Sequence, residues 1–135
     1  MSDKVLMLLT MASQFLGVPV PTDEPVVKYV PQTVLQQKVC PEKNCKVEAL
    51  HNQGEILLSQ TTLEKDEIMH DGILLHELVH FVQYKSGKIL ETCEGWREME
   101  DQAYALQEFF LNDNGVYLGG PIRFGAAELV CQDQS

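Results

Sequence analysis

A helical segment that contains two histidines and a glutamate constrains this chain more than any other feature. Over residues 64–85 the apolar side chains recur with helical spacing, and in the second half they cover most sides of the helix. Such a helix is expected to be buried. The sequence His-Glu-Leu-Val-His occupies positions 76–80 within it. Three polar side chains are therefore placed among leucines and valines, where burial is costly unless a partner satisfies them.

The spacing of the two histidines suits them to bind one metal ion. Residues four apart lie on the same face of an α-helix, about 5–6 Å apart at Cβ, so His76 and His80 can both reach one ion. Glu77 lies about 100° around the helix from His76. It is poorly placed as a third ligand but can face a water molecule beside the ion, as a general base for hydrolysis does. The alternative without metal is that backbone carbonyls or buried water satisfy both histidines.

A metal site that is open to substrate still needs a third protein ligand, and the next helix offers candidates. This helix is predicted over residues 94–111. Its periodicity places Glu100 on the apolar stripe, whereas Glu98 and Asp101 share a different face and are expected to form an exposed, charged edge. A carboxylate on an apolar face requires a reason. Metal ligation by Glu100 is one, and a salt bridge to Arg97 or a lysine is the alternative.

The remaining segments predict a small α+β fold in a single domain, residues 1–135. The expected order is an amphipathic helix over residues 1–17, strands within residues 26–60, the two helices described above, and a tail over residues 116–135. Val26–Val30 and Glu55–Gln60 are predicted strands, and Leu35–Cys40 is expected to pair with Cys45–Leu50 around the turn between them. The sheet is expected to be short and mainly antiparallel.

The motif and its spacing resemble the zinc site of the gluzincins, the thermolysin-type metallopeptidases. His76-Glu77-x-x-His80 is followed after nineteen residues by Glu100, and residues 100–104 are similar to the Glu-x-x-Ala-Asp stretch on the glutamate helix of many such peptidases. The strand block followed by two helices resembles their minimal version, the minigluzincins, over about residues 45–111. The resemblance implies a zincin-like fold, one zinc ion held by His76, His80 and Glu100, Glu77 as catalytic base, and peptide-bond hydrolysis.

The resemblance also implies how substrate binds, and one position departs from it. In that family the strand before the first helix binds an extended peptide along its edge. Here this is Glu55–Gln60, with substrate-binding positions at Ile56, Leu57, Leu58 and Ser59. Tyr104 stands where the family usually has an aspartate that supports a histidine ligand; a phenol can form a hydrogen bond but adds no negative charge. Tyr104 is also a candidate to stabilise the oxyanion, as are Tyr117 and His70.

The four cysteines bear on the cellular compartment. None forms a Cys-x-x-Cys pair, and an even number is consistent with two disulfides in an exported protein. We favour Cys40–Cys45 across a short turn, which leaves Cys93–Cys131 to attach the tail. Export to the periplasm or the medium is thereby preferred over the alternative, four reduced thiols in the cytoplasm.

The net charge of −10 limits the classes of partner. So acidic a chain is repelled by phosphate backbones and anionic lipids, which argues against binding to nucleic acid or to a membrane surface. The expected partner is a peptide or protein substrate, and the oligomeric state is not predicted. An alternative is an inactive or latent zinc-bound binding module, because the chain is too short for the second subdomain that usually walls a peptidase cleft. A third hypothesis is an interaction domain without metal.

Overall fold

The computed structural model describes residues 1–42, 47–87 and 92–118, and these form the predicted α+β fold. In the described residues there are four α-helices and a three-stranded sheet. Their order along the chain is α1 (Asp3–Leu16), β1 (Val26–Val30), α2 (Gln32–Val39), β2 (Ala49–Asn52), β3 (Glu55–Ser59), α3 (Glu67–Lys85) and α4 (Cys93–Asp113), with a short 3-10 helix, Gln60–Glu64, before α3.

The sheet is mixed, and its order is β1-β3-β2. β1 runs parallel to β3, with Val26 opposite Glu55, whereas β2 runs antiparallel to β3, with Ala49 opposite Leu58. The prediction of a mainly antiparallel sheet is therefore wrong. β3 is the central strand, with hydrogen-bonded neighbours on both sides. The prediction that Glu55–Gln60 forms a peptide-binding edge is wrong for the same reason.

A helix replaces one of the predicted strands. The segment Leu35–Cys40 was predicted to be extended, but Gln32–Val39 forms α2. Leu35 is its buried residue, and Val39 follows one helical turn later on the same side, a spacing that suits a helix better than a strand. Pro31 precedes the first turn, where its missing N–H costs no hydrogen bond. Of the predicted partner strand Cys45–Leu50, the first residues lie outside the described part of the chain.

The N-terminal helix packs against α3 through the predicted apolar face. Leu8, Leu9 and Ala12 are fully buried and belong to the main core. The Ser2 hydroxyl accepts from the backbone N–H of Val5 and caps the first turn, and Gly17 ends the helix in a left-handed conformation with φ of 71°. α1 therefore covers one side of α3.

The long helix α3 lies at the centre of the molecule. It contacts α1, α4, β2 and β3, and every residue from Asp71 to Val79 is buried. It packs tightly against α4 at Gly72, where an added Cβ would lie 3.0 Å from Leu111 Cδ2 and 3.7 Å from Gln107 Cγ. The absence of a side chain at Gly72 thus allows the two helices that bear the predicted ligands to pack closely.

The cysteines and the tail are only partly described. Cys40 and Cys93 are both disulfide-bonded. Cys45 and Cys131 lie outside the described residues, so the predicted pairing stays a prediction, as does the structure of the tail from residue 119. None of the helices in the described ranges has the length and apolar character required to cross a membrane.

Candidate metal centre

Helices α3 and α4 bring His76, His80 and Glu100 together. The ligand atoms of these side chains all lie within 4.8 Å of one another, and the group could hold a metal ion. His76 Nε2 lies 3.0 Å from Glu100 Oε1, and His80 Nε2 contacts the same oxygen. The two imidazole rings meet edge to face, with 5.0 Å between their centroids. These are the three residues that the sequence selected as metal ligands.

Burial separates Glu100 from the other acidic residues of α4. Glu100 is buried on the face that packs against α3, whereas Glu98 and Asp101 are exposed, as the helical periodicity predicts. The Glu100 carboxylate contacts the imidazoles of His76 and His80. A salt bridge to Arg97 or a lysine is therefore not needed to explain why this carboxylate is buried.

Two buried glutamines, Gln83 and Gln107, form hydrogen bonds with the Nδ1 atoms of the histidines, on the side of each ring opposite Glu100. His80 Nδ1 donates to Gln83 Oε1 over 2.9 Å, and His76 Nδ1 donates to Gln107 Oε1 over 3.0 Å. Neither glutamine was predicted from the sequence as part of the site. Gln83 follows His76 by seven positions and Gln107 follows Glu100 by seven, so each lies on the same helical face as a predicted ligand. A polar residue at that spacing on an apolar face was the available signal.

The hydrogen bonds to the two glutamines determine which histidine atoms face the centre of the cluster. An amide oxygen only accepts, so each Nδ1 carries hydrogen, and in a neutral imidazole the Nε2 atom then has a lone pair. Both lone pairs are directed at a carboxylate oxygen, which also only accepts. The donor set of two imidazole nitrogens and one carboxylate oxygen therefore fits a divalent metal such as zinc, which would satisfy all three acceptors together.

Without a metal, protons must supply the positive charge in this cluster. Burial of the His80 ring opposes its charging, but the hydrogen bond to Glu100 and the nearby carboxylates outweigh burial and raise the pKa of His80 to about 9. Burial likewise opposes ionisation of Glu100, but hydrogen bonds from His76 and His80 lower its pKa to about 2. Both directions describe an ion pair in which His80 and an ionised Glu100 stabilise each other.

Glu77 lies beside the cluster as the helical geometry predicts. Its carboxylate is buried, with Oε2 4.0 Å from His76 Nε2. Burial raises the pKa of Glu77, while the charges of His76 and His80 and a hydrogen bond from the backbone N–H of His51 oppose that rise. A carboxyl group whose pKa is moved towards neutrality is suited to accept and return a proton.

The strand β2 lies next to the site, because the backbone of His51 forms a hydrogen bond with Glu77. The ring of His51 in β2 lies against Phe81 and Tyr84 of α3, and its Nε2 accepts from the Gly54 N–H at 3.1 Å. Burial lowers the pKa of His51 to about 4, so this ring is neutral at pH 7. Among the described residues, β2 pairs with β3 on one side alone.

The three candidates for stabilising an oxyanion differ in their distance from the cluster and in their hydrogen-bond partners. The Tyr104 ring packs edge-on against His76, with 4.4 Å between ring centroids, but His76 Nδ1 donates its hydrogen bond to Gln107 Oε1. His70 uses both ring nitrogens elsewhere, with the Tyr29 hydroxyl at 2.7 Å and an Asp71 carboxylate oxygen at 2.9 Å. The remaining candidate, a tyrosine at position 117, is 75 % exposed.

Comparison with known proteins adds no family to this geometry. The chain matches no protein-family model, no curated protein and no solved structure.

Proposed function

We propose that this protein is a zinc-dependent peptidase with a zincin-like fold of the gluzincin type. The observation that carries the proposal is the convergence of His76 Nε2, His80 Nε2 and the Glu100 carboxylate, with the buried Glu77 carboxylate beside them. The order His-Glu-x-x-His followed by a glutamate on the next helix supports the same assignment.

The residues divide into ligands and a base. A zinc ion held by His76, His80 and Glu100 would supply a Lewis acid that polarises the scissile carbonyl and lowers the pKa of the attacking water. Glu77 takes a proton from that water and transfers it to the leaving amine. The His51 N–H hydrogen bond holds the Glu77 carboxylate in place between these two transfers.

We place the substrate along β2. β3 is the central strand of the sheet, so a peptide substrate cannot pair with it. The backbone groups of Ile56, Leu57, Leu58 and Ser59 already pair with β1 and β2. β2 contacts α3 and places the His51 N–H next to Glu77. An extended peptide that adds to the outer side of β2 would gain affinity from backbone hydrogen bonds with little sequence preference.

The variant Ala49→Pro tests this binding mode, because proline removes a backbone N–H from β2 and leaves the metal ligands unchanged. We expect a raised KM for the peptide substrate and an unchanged zinc content.

The proposal is tested by metal content and hydrolysis on the same variants. Elemental analysis of the purified chain should give about one zinc per molecule, and Glu100→Ala should lower it. Glu98→Ala, on the exposed face of the same helix, is the matched control and should retain zinc. Glu77→Gln should keep zinc but hydrolyse an unfolded protein substrate at least about a hundredfold more slowly. Full activity of Glu77→Gln would refute the mechanism.

One observation favours the second candidate, a zinc-bound module that is inactive or latent. The side chains of the proposed ligands are 10 % (His76), 18 % (His80) and 8 % (Glu100) exposed, which restricts the approach of a folded substrate. A wild-type protein that binds zinc but hydrolyses no unfolded substrate would support this candidate over the peptidase.

A further inference from the structure

Gln83 is a buried, uncharged side chain that contacts both helices of the metal centre. It lies three residues after His80 on α3, and 2 % of it is exposed. Its Nε2 donates to the backbone carbonyl oxygen of Met99 and to Gln102 Oε1, each at 3.0 Å, and its Oε1 lies 2.9 Å from His80 Nδ1. One amide thus joins a proposed ligand on α3 to the residue directly before Glu100 on α4.

The partners of this amide fix its orientation and, through it, the tautomer of His80. A backbone carbonyl oxygen only accepts, so the atom of Gln83 that faces Met99 must be its NH₂ nitrogen. The amide oxygen then faces His80 Nδ1, which must carry hydrogen. Nε2 is left to direct its lone pair at the cluster. The nitrogen that a histidine presents to a metal is set by the partner of its other nitrogen.

We propose that Gln83 is a positioning residue of the metal centre. It holds His80 in the Nδ1–H tautomer and, by attaching α3 to the backbone at Met99, sets the separation of His80 from Glu100. This inference rests on the proposed zinc site and deepens it, because it assigns the alignment of ligands from two helices to one side chain. The support is neutral, so it acts by geometry and adds no negative charge to the histidine.

Zinc affinity tests the inference in the full chain of 135 residues. Competition with a chromophoric chelator is measured for the wild type, Gln83→Leu and Gln102→Leu. Gln102→Leu is the matched control, because it removes one acceptor of the Gln83 amide and leaves the contacts with His80 and Met99. Gln83→Leu should lower zinc affinity about 10- to 100-fold, the usual effect of losing a partner of a ligand, and Gln102→Leu should have a much smaller effect.

Gln83→Glu separates the two roles of the amide. A carboxylate can still accept from His80 Nδ1, but it cannot donate to the Met99 carbonyl oxygen. We therefore expect the tautomer to be retained and the zinc affinity to fall, to a value between those of wild type and Gln83→Leu.

The imidazole N–H resonances of the zinc-loaded protein distinguish positioning from a loss of fold. In ¹H–¹⁵N spectra, wild type should show protected Nδ1–H signals for His76 and His80, and Gln83→Leu should lose protection at His80 while His76, which donates to Gln107, keeps it. If Gln83→Leu does not fold, the zinc affinity of Gln83→Glu and the tautomer of His80 in the wild type decide whether Gln83 positions His80.

The outcomes separate this inference from the proposed function. Unchanged zinc affinity in Gln83→Leu, or a wild-type His80 that binds zinc through Nδ1, overturns the role of Gln83 alone. A wild-type chain that does not bind zinc overturns both proposals.

Discussion

Substitution of Gly72 by alanine tests the close packing of α3 against α4. The new Cβ would lie 3.0 Å from Leu111 Cδ2, which is closer than ordinary van der Waals contact, and 3.4 Å from Leu111 Cγ. Leu111 is 1 % exposed, so its side chain cannot move into solvent. We expect either the leucine or α4 itself to shift by a few tenths of an ångström.

The size of the effect follows from two opposing terms. Alanine is favoured over glycine inside a helix by about 1 kcal/mol, whereas overpacking a well-packed core costs about 1–3 kcal/mol. The expected net change for Gly72→Ala is a loss of about 0–2 kcal/mol in the free energy of unfolding, the difference between these two terms. Because Gln107 Cγ lies 3.7 Å from the same Cβ, the shift should also disturb the hydrogen bond to His76 and lower zinc affinity.

Urea denaturation of the metal-free protein measures this change, and Leu111→Ala provides the control. Leu111→Ala alone should destabilise the protein by about 2–5 kcal/mol, because it leaves a cavity. In that background the added methyl group meets space instead of a leucine, so Gly72→Ala should become stabilising by about 1 kcal/mol. A stabilising Gly72→Ala in the wild-type background, with the same value in the Leu111→Ala background, would show that the helices do not contact here as described.

Three further predictions concern the metal centre and a separate polar cluster. Removal of zinc by a chelator should lower the free energy of unfolding by about 2.7 kcal/mol relative to protein in zinc at a hundred times its Kd; equal urea midpoints with and without zinc would contradict the site. Gln107→Leu should lower zinc affinity about 10- to 100-fold, as measured by chelator competition, and an unchanged affinity would show that His76 needs no such partner. Asp71→Ala should destabilise the metal-free protein by about 1–3 kcal/mol, because it leaves His70 Nδ1 without its acceptor and Lys4 without a buried partner. Asp3→Ala on the exposed first turn of α1 is its control, and equal urea midpoints for the two variants would refute the argument.

The proposed ligands could be predicted from the sequence because their geometry is local. His76 and His80 share a face of one helix whatever the rest of the chain does, and the periodicity of α4 alone places Glu100 on its buried side. The hairpin of β2 and β3 is also local, but it was not predicted, because Cys45–Leu50 was paired with Leu35–Cys40 instead. Gln53 and Gly54 have positive φ values of 49° and 90°, as a tight turn between antiparallel strands requires.

The order of the strands depends on pairing between distant residues, and here the prediction failed. The segment from Ile56 to Ser59 is buried at every position. A strand with one side of the sheet in solvent would alternate, whereas a continuous apolar run is typical of a strand buried on both faces. The run Ile-Leu-Leu was therefore a signal for a strand covered on both faces, and in this sheet that strand is the central one. β2 is half-buried at Ala49, Leu50 and His51, as suits the position next to it.

The support of the histidines shows why a motif alone could not complete the site. The resemblance directed attention to Tyr104, four residues after Glu100, as the partner of a histidine ligand. In the structure Tyr104 packs against the His76 ring, and His76 Nδ1 donates to Gln107. Which turn of α4 meets that nitrogen depends on how closely the helices pack, and near Gln107 a Cβ at position 72 would meet Leu111 at 3.0 Å. A partner on a second helix is thus fixed by the helix contact, which neither residue spacing nor a motif on one helix can specify.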